Sequence, residues 1–428
     1  MRAKKYILSL LTVYLCYFTH GMQSIILSQN QVYFYTKWGY TDASEGAAAV
    51  SLAITAYGVG KLISVWIGGE ISDKVGRKKM AILGAILYIM FFGGLLVTTS
   101  VTIAAGAAFL SGIATSGLWD AALYPAAQES APKYSASALL GIKLFVSIAG
   151  VVYPLAVVNF ANSGNQSMSI MIPLVLSVAC LIMAIISPFA YDDMMKESKG
   201  NKNDSKKGNA VQAEIDAAKA KMLSKPNLLV NIITMLYGFT CMVIMYGAQQ
   251  YTKAFGINNV GLTEMQAAGM TSIYTVGSII AVIFWAILMG KLRWNPVKVL
   301  LINSVFTAVA LTMVVLIRQT AVIYIAIAMI GFFAAGGALQ TGLSVRQHFC
   351  PGPKGRNTGI YYTFMSLATV FLPFIVSSMT RSVGETQAVS VMMGALLIVA
   401  VLQILMMVYL VMQHTKIFGY SAFAKMRD

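Results

Sequence analysis

The sequence predicts an all-α membrane protein: twelve transmembrane helices in two pseudo-symmetric six-helix bundles. Its composition, the spacing of its apolar runs and an internal repeat carry this expectation. Of 428 residues, 58% are hydrophobic and 11% charged, far from the balance of a soluble domain. Apolar runs close to the roughly 20 residues that span a bilayer fall at about 6–28, 46–67, 80–98, 101–127, 138–160, 168–190, 227–250, 265–289, 298–317, 319–343, 357–378 and 387–411.

The first run follows Met1-Arg2-Ala3-Lys4-Lys5 and mimics a signal peptide. No small-residue cleavage site closes a short apolar region, so it reads as a retained helix. The net charge of +16 invites a nucleic-acid partner, but the bases sit in the loops. With the N-terminus inside, only six of the 31 Lys and Arg leave the inner side: Lys37, Lys253, Arg318 and Arg381 in outer segments, Lys61 and Lys143 within spans. The positive-inside rule then places both termini in the cytoplasm. The stretch 191–226 divides the chain into bundles at 1–190 and 227–428. Within it, 196–209 reads as a mobile linker and 212–225 as a short surface helix. Cys16, Cys180, Cys241 and Cys350 have neither metal-like nor disulfide-like spacing. No phosphate loop or nucleophile–base pair is present, so neither a cofactor nor an enzymatic activity is expected.

The halves are repeats. At an offset of 219, Gly112, Gly117, Gln128, Pro132 and Pro154 meet Gly331, Gly336, Gln347, Pro351 and Pro373. Tyr35-Thr36-Lys37 matches Tyr251-Thr252-Lys253, and Tyr57-Gly58-Val59-Gly60 matches Tyr274-Thr275-Val276-Gly277. Mismatches locate the candidate site. Lys61 faces Ser278, Asp120 faces Leu339 with Gln340 beside it, and Lys143 faces Tyr362. From the helical rise, the three ionisable residues lie about 9–12 Å from the inner face. A charge there is unfavourable by about 2.5–3.5 kcal/mol and needs a partner or a water-filled cavity.

Two lysines and one aspartate leave a positive site suited to an anion. Lys61 and Lys143 are expected to hold a substrate carboxylate, and Asp120 to carry a coupling proton. The competing reading is that Asp120 pairs with Lys61 or Lys143 and only joins helices. Tyr17, His20 and Ser24 share a helical face, with Gln23 beside them. Tyr17, His20 and Gln23 are candidate ligands. Trp119 and Tyr124 flank Asp120 and could stack on a ring; aromatic packing accounts for them equally well. Tyr237, Gln340 and Tyr362 offer hydroxyls, an amide and rings from the second half.

In a chain so poor in charge, Gly69-Glu70-Ile71-Ser72-Asp73-Lys74-Val75-Gly76-Arg77-Lys78-Lys79 reads as a tight cytoplasmic turn. Gly69 is expected to let two helices approach, and Asp73 to sit at the N-terminus of the next helix. This pattern resembles the signature loop between helices 2 and 3 of the major facilitator superfamily. The resemblance implies a twelve-helix secondary transporter, ordinarily monomeric, working by alternating access. Glu129-x-x-Pro132 is similar to the end of helix 4 in sugar porters of that superfamily. It implies a cytoplasmic gate joining Glu129 to Gly69, Asp73, Gly76 and Arg77, with Arg346 as the counterpart in the other half. The Arg that follows in that pattern is absent here, and Lys133 is the candidate substitute.

Tyr17-Phe18-Thr19-His20-Gly21, Gln29-Asn30, Ile71 to Arg77, and Tyr124 to Lys133 with Lys143 resemble enteric inner-membrane facilitators encoded near quinate and shikimate metabolism genes. That resemblance implies a small cyclic hydroxy or aromatic acid as substrate. The expected function is therefore proton-coupled import of a small organic anion, with substrate, protons and lipid as partners. A sugar or polyol transporter, a drug or metabolite exporter, and a ligand sensor signalling through 191–226 are the other readings.

Overall fold

The computed structural model describes residues 5–131, 135–198, 215–216, 218–352 and 354–426. It is helical almost throughout. The first half holds α1 (Ile7–Gln23), α2 (Ile26–Gln29), α3 (Gln31–Lys37), α4 (Ala43–Val75), α5 (Arg77–Val97), α6 (Val101–Gly112), α7 (Ala121–Ser130), α8 (Ser135–Asn162), α9 (Met168–Ile186) and α10 (Ala190–Ser198). The second holds α11 (Leu228–Phe255), α12 (Glu264–Gly290), α13 (Pro296–Leu316), α14 (Thr320–Ile330), α15 (Ala338–Phe349), α16 (Lys354–Val383) and α17 (Glu385–Phe418). Segments of π-helix, Ile113–Asp120 and Gly331–Ala335, join α6 to α7 and α14 to α15.

Eleven helical stretches among the described residues are long and apolar enough to cross a membrane. The twelfth predicted span is α1 with α2. It breaks at Ser24, whose hydroxyl donates to the Gly21 carbonyl at 2.9 Å instead of facing solvent, a local competition typical of serine. Residues 199–214, which carry most of the predicted linker and part of the predicted surface helix, lie outside the described residues. So do Pro132 and Lys133. Residues 191–198, expected to open the linker, are helical in α10.

The charged turn is corrected in two respects. α4 runs unbroken to Val75, and the chain reverses at Gly76 alone, where φ is 99°; only glycine adopts that value without strain. Gly69 is not a contact glycine, since a Cβ there would meet nothing within 4 Å. Nor does the Asp73 carboxylate cap the first backbone N–H groups of α5. The Asp192 carboxylate does, accepting from the backbone N–H groups of Arg77 (3.0 Å) and Lys78 (3.1 Å). An anion belongs at that helix end because the first N–H groups have no partner in the helix. The other end of α5 is closed by the Lys37 ammonium, which donates to the carbonyls of Leu95 (3.0 Å) and Leu96.

The described residues form two compact units: Met1–Asn201, Gln250–Ser272 and Thr369–Val389, and Lys202–Gln249, Ile273–Ala368 and Ser390–Asp428. The same glycine interlock recurs in each. In the first unit, a Cβ on Gly60 would come within 3.0 Å of the Phe109 carbonyl, one on Gly112 within 3.0 Å of the Tyr57 carbonyl, and one on Gly117 within 3.0 Å of Ser64. In the second, Gly277, Gly331 and Gly336 stand in the same relation to Ala328, Tyr274 and Ala281. These are the positions that the repeat matches. Small residues let helix backbones touch where lipid gives no hydrophobic drive for association.

Gly112→Ala is expected to destabilise the purified protein by about 1–3 kcal/mol, because backbone must move. Gly69→Ala should be neutral or stabilising by about 0.5–1 kcal/mol, the helical preference of alanine over glycine. Thermal unfolding in detergent compares the two.

Candidate functional site

A buried polar network lies in the first unit where α1, α5 and the π-helical segment meet. The Tyr17 hydroxyl donates to Asp120 Oδ1 at 2.9 Å, and the Ser116 hydroxyl donates to Oδ2 at 3.3 Å. Each carboxylate oxygen thus has a donor. Asp120 closes the π-helical segment, a feature that concentrates at functional sites. Gln23, rather than Ser24, extends the α1 face into the network, its amide donating to Ser111 Oγ at 3.1 Å.

Tyr88, which the sequence reading did not single out, is the hub. Its hydroxyl meets His20 Nδ1 at 2.8 Å, Thr115 Oγ1 at 2.9 Å and Gln23 Oε1 at 3.4 Å. The hydroxyl protons of Ser111 and Thr115 are committed to carbonyls of their own helix, those of Ala108 (2.7 Å) and Ser111 (2.9 Å). The Tyr88 proton is therefore directed to two acceptors, Thr115 Oγ1 and Gln23 Oε1. A phenol has one proton, so the Tyr88 oxygen accepts from His20, and the His20 proton sits on Nδ1. Nε2 keeps its lone pair.

Lys61 is 8% exposed, its ammonium 5.4 Å from the centre of the Tyr57 ring. Lys143 is half-buried on α8. No ion pair joins Asp120 to Lys61 or Lys143 among the described residues, whose four ion pairs are Lys5–Asp193, Arg77–Asp73, Arg77–Glu129 and Lys253–Glu264. Trp119 is fully buried. It stacks on Tyr88 at 4.1 Å, donates to the Ala81 carbonyl at 3.1 Å and packs against Gly84. Its indole is held inside the bundle. Tyr124 is 40% exposed and edges Tyr17 at 5.2 Å.

The second-unit candidates fall apart into different settings. Gln340 is exposed and Tyr362 half-buried. Tyr237 is buried beside Cys241, Asn303, Ser304 and Gln403, around a gap with no room for water. Arg346 is buried and donates to the Asn231 side chain (3.1 Å) and to Thr234 (3.3 Å). Its partners are neutral, unlike those of Arg77.

Arg77 is 5% exposed and organises the turn. It donates to Ser72 (2.6 Å), Asp73 (2.8 Å) and Glu129 (3.2 Å), and its guanidinium lies 4.1 Å from the Tyr191 ring centre. Gly76 faces the Asp192 side chain, which a Cβ would displace. Asp73, Gly76, Arg77 and Glu129 are thus brought together, while Gly69 stays outside. Asp192 and Tyr191 complete the cluster. They lie more than a hundred residues along the chain, and no local spacing ties them to it.

Membrane-length helices folded around a buried, hydrogen-bonded polar interior define a polytopic membrane protein. The profile of the Major Facilitator Superfamily matches residues 13–353 and 257–418, and the chain belongs to that family. It is 31% identical over 372 residues to the Escherichia coli inner membrane transport protein YdiN, covering 86% of this chain and 83% of that one. The related YdiM is 30% identical, with 88% of each chain covered. The fold resembles that of the E. coli xylose transporter XylE in a partially occluded inward open conformation (TM-score 0.68, 14% identity, 94% of this chain and 97% of that one). It also resembles a POT family transporter bound to 5-aminolevulinic acid (TM-score 0.67, 12% identity, 94% and 95% covered).

The hydrogen-bond directions make a prediction for ¹⁵N NMR of the histidine-labelled protein. His20, identified by its loss in His20→Gln, should show a protonated Nδ1 and an unprotonated Nε2. Tyr88→Phe should mix the two tautomers. A wild-type signal with the proton on Nε2 would reverse the direction of the network.

Proposed function

We propose that the chain is a proton-coupled importer of a small organic anion, a cyclic hydroxy or aromatic acid, working by alternating access. The observation that carries this reading is the charge balance in the first unit: two ammonium groups, Lys61 and Lys143, and one carboxylate, Asp120, to which neither is paired. Cations within a membrane span without a bound counter-charge are unfavourable, and a substrate carboxylate supplies one through charge-assisted hydrogen bonds. Asp120 carries the proton. Ionised, it accepts from Tyr17 and Ser116; protonated, one oxygen becomes an O–H donor and accepts more weakly, which loosens one of these bonds. Substrate charge near Lys61 alters the field that Lys61 exerts on Asp120, which links occupancy to protonation.

In this reading the chain lies in the bacterial inner membrane as a monomer, with both termini cytoplasmic and the bundles 1–190 and 227–428 joined through 191–226. The names of the E. coli relatives support that location. Arg77 with Asp73, Gly76 and Glu129 acts as a cytoplasmic latch.

Uptake into proteoliposomes of a panel of acids (shikimate, quinate, benzoates, sugar acids) tests the proposal. An inward proton gradient should drive accumulation of one acid. Asp120→Asn should abolish gradient-driven accumulation, and Lys143→Ala should weaken uptake by about tenfold or more, as expected for loss of a charge-assisted contact. Movement of neutral sugars but of no acid would overturn the anion reading. Uptake indifferent to both the gradient and Asp120→Asn would remove proton coupling.

A further inference from the structure

The turn between α12 and α13 and the segment 419–426 after α17 enclose a pocket that the proposed transport site does not use. It has a volume of about 280 Å³ and is lined by Leu292, Trp294, Lys298, Phe423, Ala424 and Lys425. Both sides of it belong to the second unit. The stretch Glu264–Gly290 is long and apolar enough to cross a membrane, so a turn that starts at Lys291 lies at the boundary with water.

Backbone and side-chain contacts fasten the segment to the turn. Lys425 pairs with Trp294 in an antiparallel bridge, and the Met426 N–H donates to the Arg293 carbonyl at 2.8 Å. Arg293 takes φ 56° there, a left-handed value that side chains disfavour. His414 is fully buried. Its Nδ1 lies 3.0 Å from the Tyr420 carbonyl, which only accepts, so Nδ1 carries the proton and Nε2 accepts from the Asn295 amide at 2.9 Å. Asn295 in turn caps α13, its Oδ1 accepting from the Val297 N–H at 2.9 Å. The wall formed by Trp294 is equally fixed, because that side chain packs against the buried cluster of Ala281, Trp285 and Val299.

The lining joins two chemistries. Lys298 and Lys425 bring two ammonium groups, and no carboxylate lines the pocket. Neither lysine has an ion-pair partner among the described residues. Lys298 Nζ stands 3.8 Å from the Trp294 ring centre, a cation–π contact that fixes its place without neutralising it. Leu292 and Phe423 are apolar yet 48% and 54% exposed. A free phosphate makes no use of such side chains, and a lipid does. Ahead of the turn, Ile280, Ile283, Phe284 and Ile287 are exposed on α12. They are spaced as one helical face, along which an acyl chain can lie.

We propose that this pocket binds an anionic phospholipid, its phosphate between Lys298 and Lys425 and its glycerol and first chain carbons against Leu292, Trp294 and Phe423. With the termini cytoplasmic, as in the transport reading, the lipid comes from the inner leaflet, where anionic headgroups attract basic segments at the membrane edge. The bound lipid clamps the segment 419–426 to the turn, because one of its lysines comes from each.

The test is native mass spectrometry of the delipidated full-length protein titrated with dioleoyl phosphatidylglycerol or dioleoyl phosphatidylcholine. The first phosphatidylglycerol should bind more tightly than the first phosphatidylcholine. Its affinity should fall about tenfold or more in Lys298→Gln/Lys425→Gln, the effect of two lysines beside an anionic headgroup. Lys74→Gln/Lys79→Gln, which removes two exposed charges from the other half, should leave it unchanged. Phe423→Ala should weaken the lipid, and inorganic phosphate should not displace it. Equal binding of the two lipids overturns the proposal. So does an equal loss in the two lysine pairs, which is the effect of net charge alone. Displacement by inorganic phosphate with Phe423→Ala unchanged would make this a free-anion site and overturn the lipid. Asp120→Asn should bind phosphatidylglycerol as the wild type does, so failure of the transport reading and failure of the lipid site are told apart.

Discussion

Backbone contact between α4 and the helix running from Val101 to Ser130 sets the geometry of the first unit. Gly60 meets Phe109 and Gly112 meets Tyr57, so the two helices touch without side chains between them. Lys61 follows directly after one contact glycine, and Asp120 closes the π-helical segment that begins one residue after Gly112. The interlock thereby fixes the spacing of a cation and an anion in a medium where ions are hard to accommodate. The extra width of the π-helical turn lets Ser111, Thr115 and Ser116 all contribute to one polar network although they share a short stretch of chain. The second unit keeps the interlock but places leucine where the first has aspartate. The packing framework is common to the repeat, and the ionic chemistry belongs to one copy.

The two charged clusters of the first unit are built differently. At the turn, Arg77 is met by Asp73, Glu129, Ser72 and the face of Tyr191, and its planar fork suits such crowding. Around Asp120 the donors are hydroxyls, and no lysine forms an ion pair with it among the described residues. A satisfied cluster of the first kind is suited to holding helices in register. A cluster of the second kind is held by neutral donors instead of by an opposite charge.

Much of this was legible in the sequence, because bilayer thickness and helical rise turn span length into a direct signal. Most helix ends fall within about five residues of the apolar runs, while α4, α15 and α17 run on past them to Val75, Phe349 and Phe418. Charge is a weak helix breaker when the side chains reach water, so the α4 helix passes through Gly68 and Gly69 and ends only where Gly76 takes a positive φ. The repeat glycines could be read because glycine marks close approach in either copy. Gly69 misled for the same reason: its type was right, but it faces no neighbour. Tyr88 was hidden as a single hydroxyl in an apolar run, and its role depends on partners from two other helices. Asp192 was hidden by sequence distance. Trp119 was correctly seen to flank Asp120, but which way an indole turns is settled by packing against Gly84 and Tyr88.

The unbroken length of α4 has a mechanical consequence. Its 33 residues make a rod about 50 Å long, well beyond the roughly 30 Å hydrocarbon layer. The part that projects has no hinge before Gly76, and its tip is fastened through Arg77 to Glu129 and through Asp192 to α10. A tilt of a few degrees within the bilayer would swing such a tip by several ångströms. The helix thus ties the level of Lys61 to the arginine cluster through one continuous hydrogen-bonded rod.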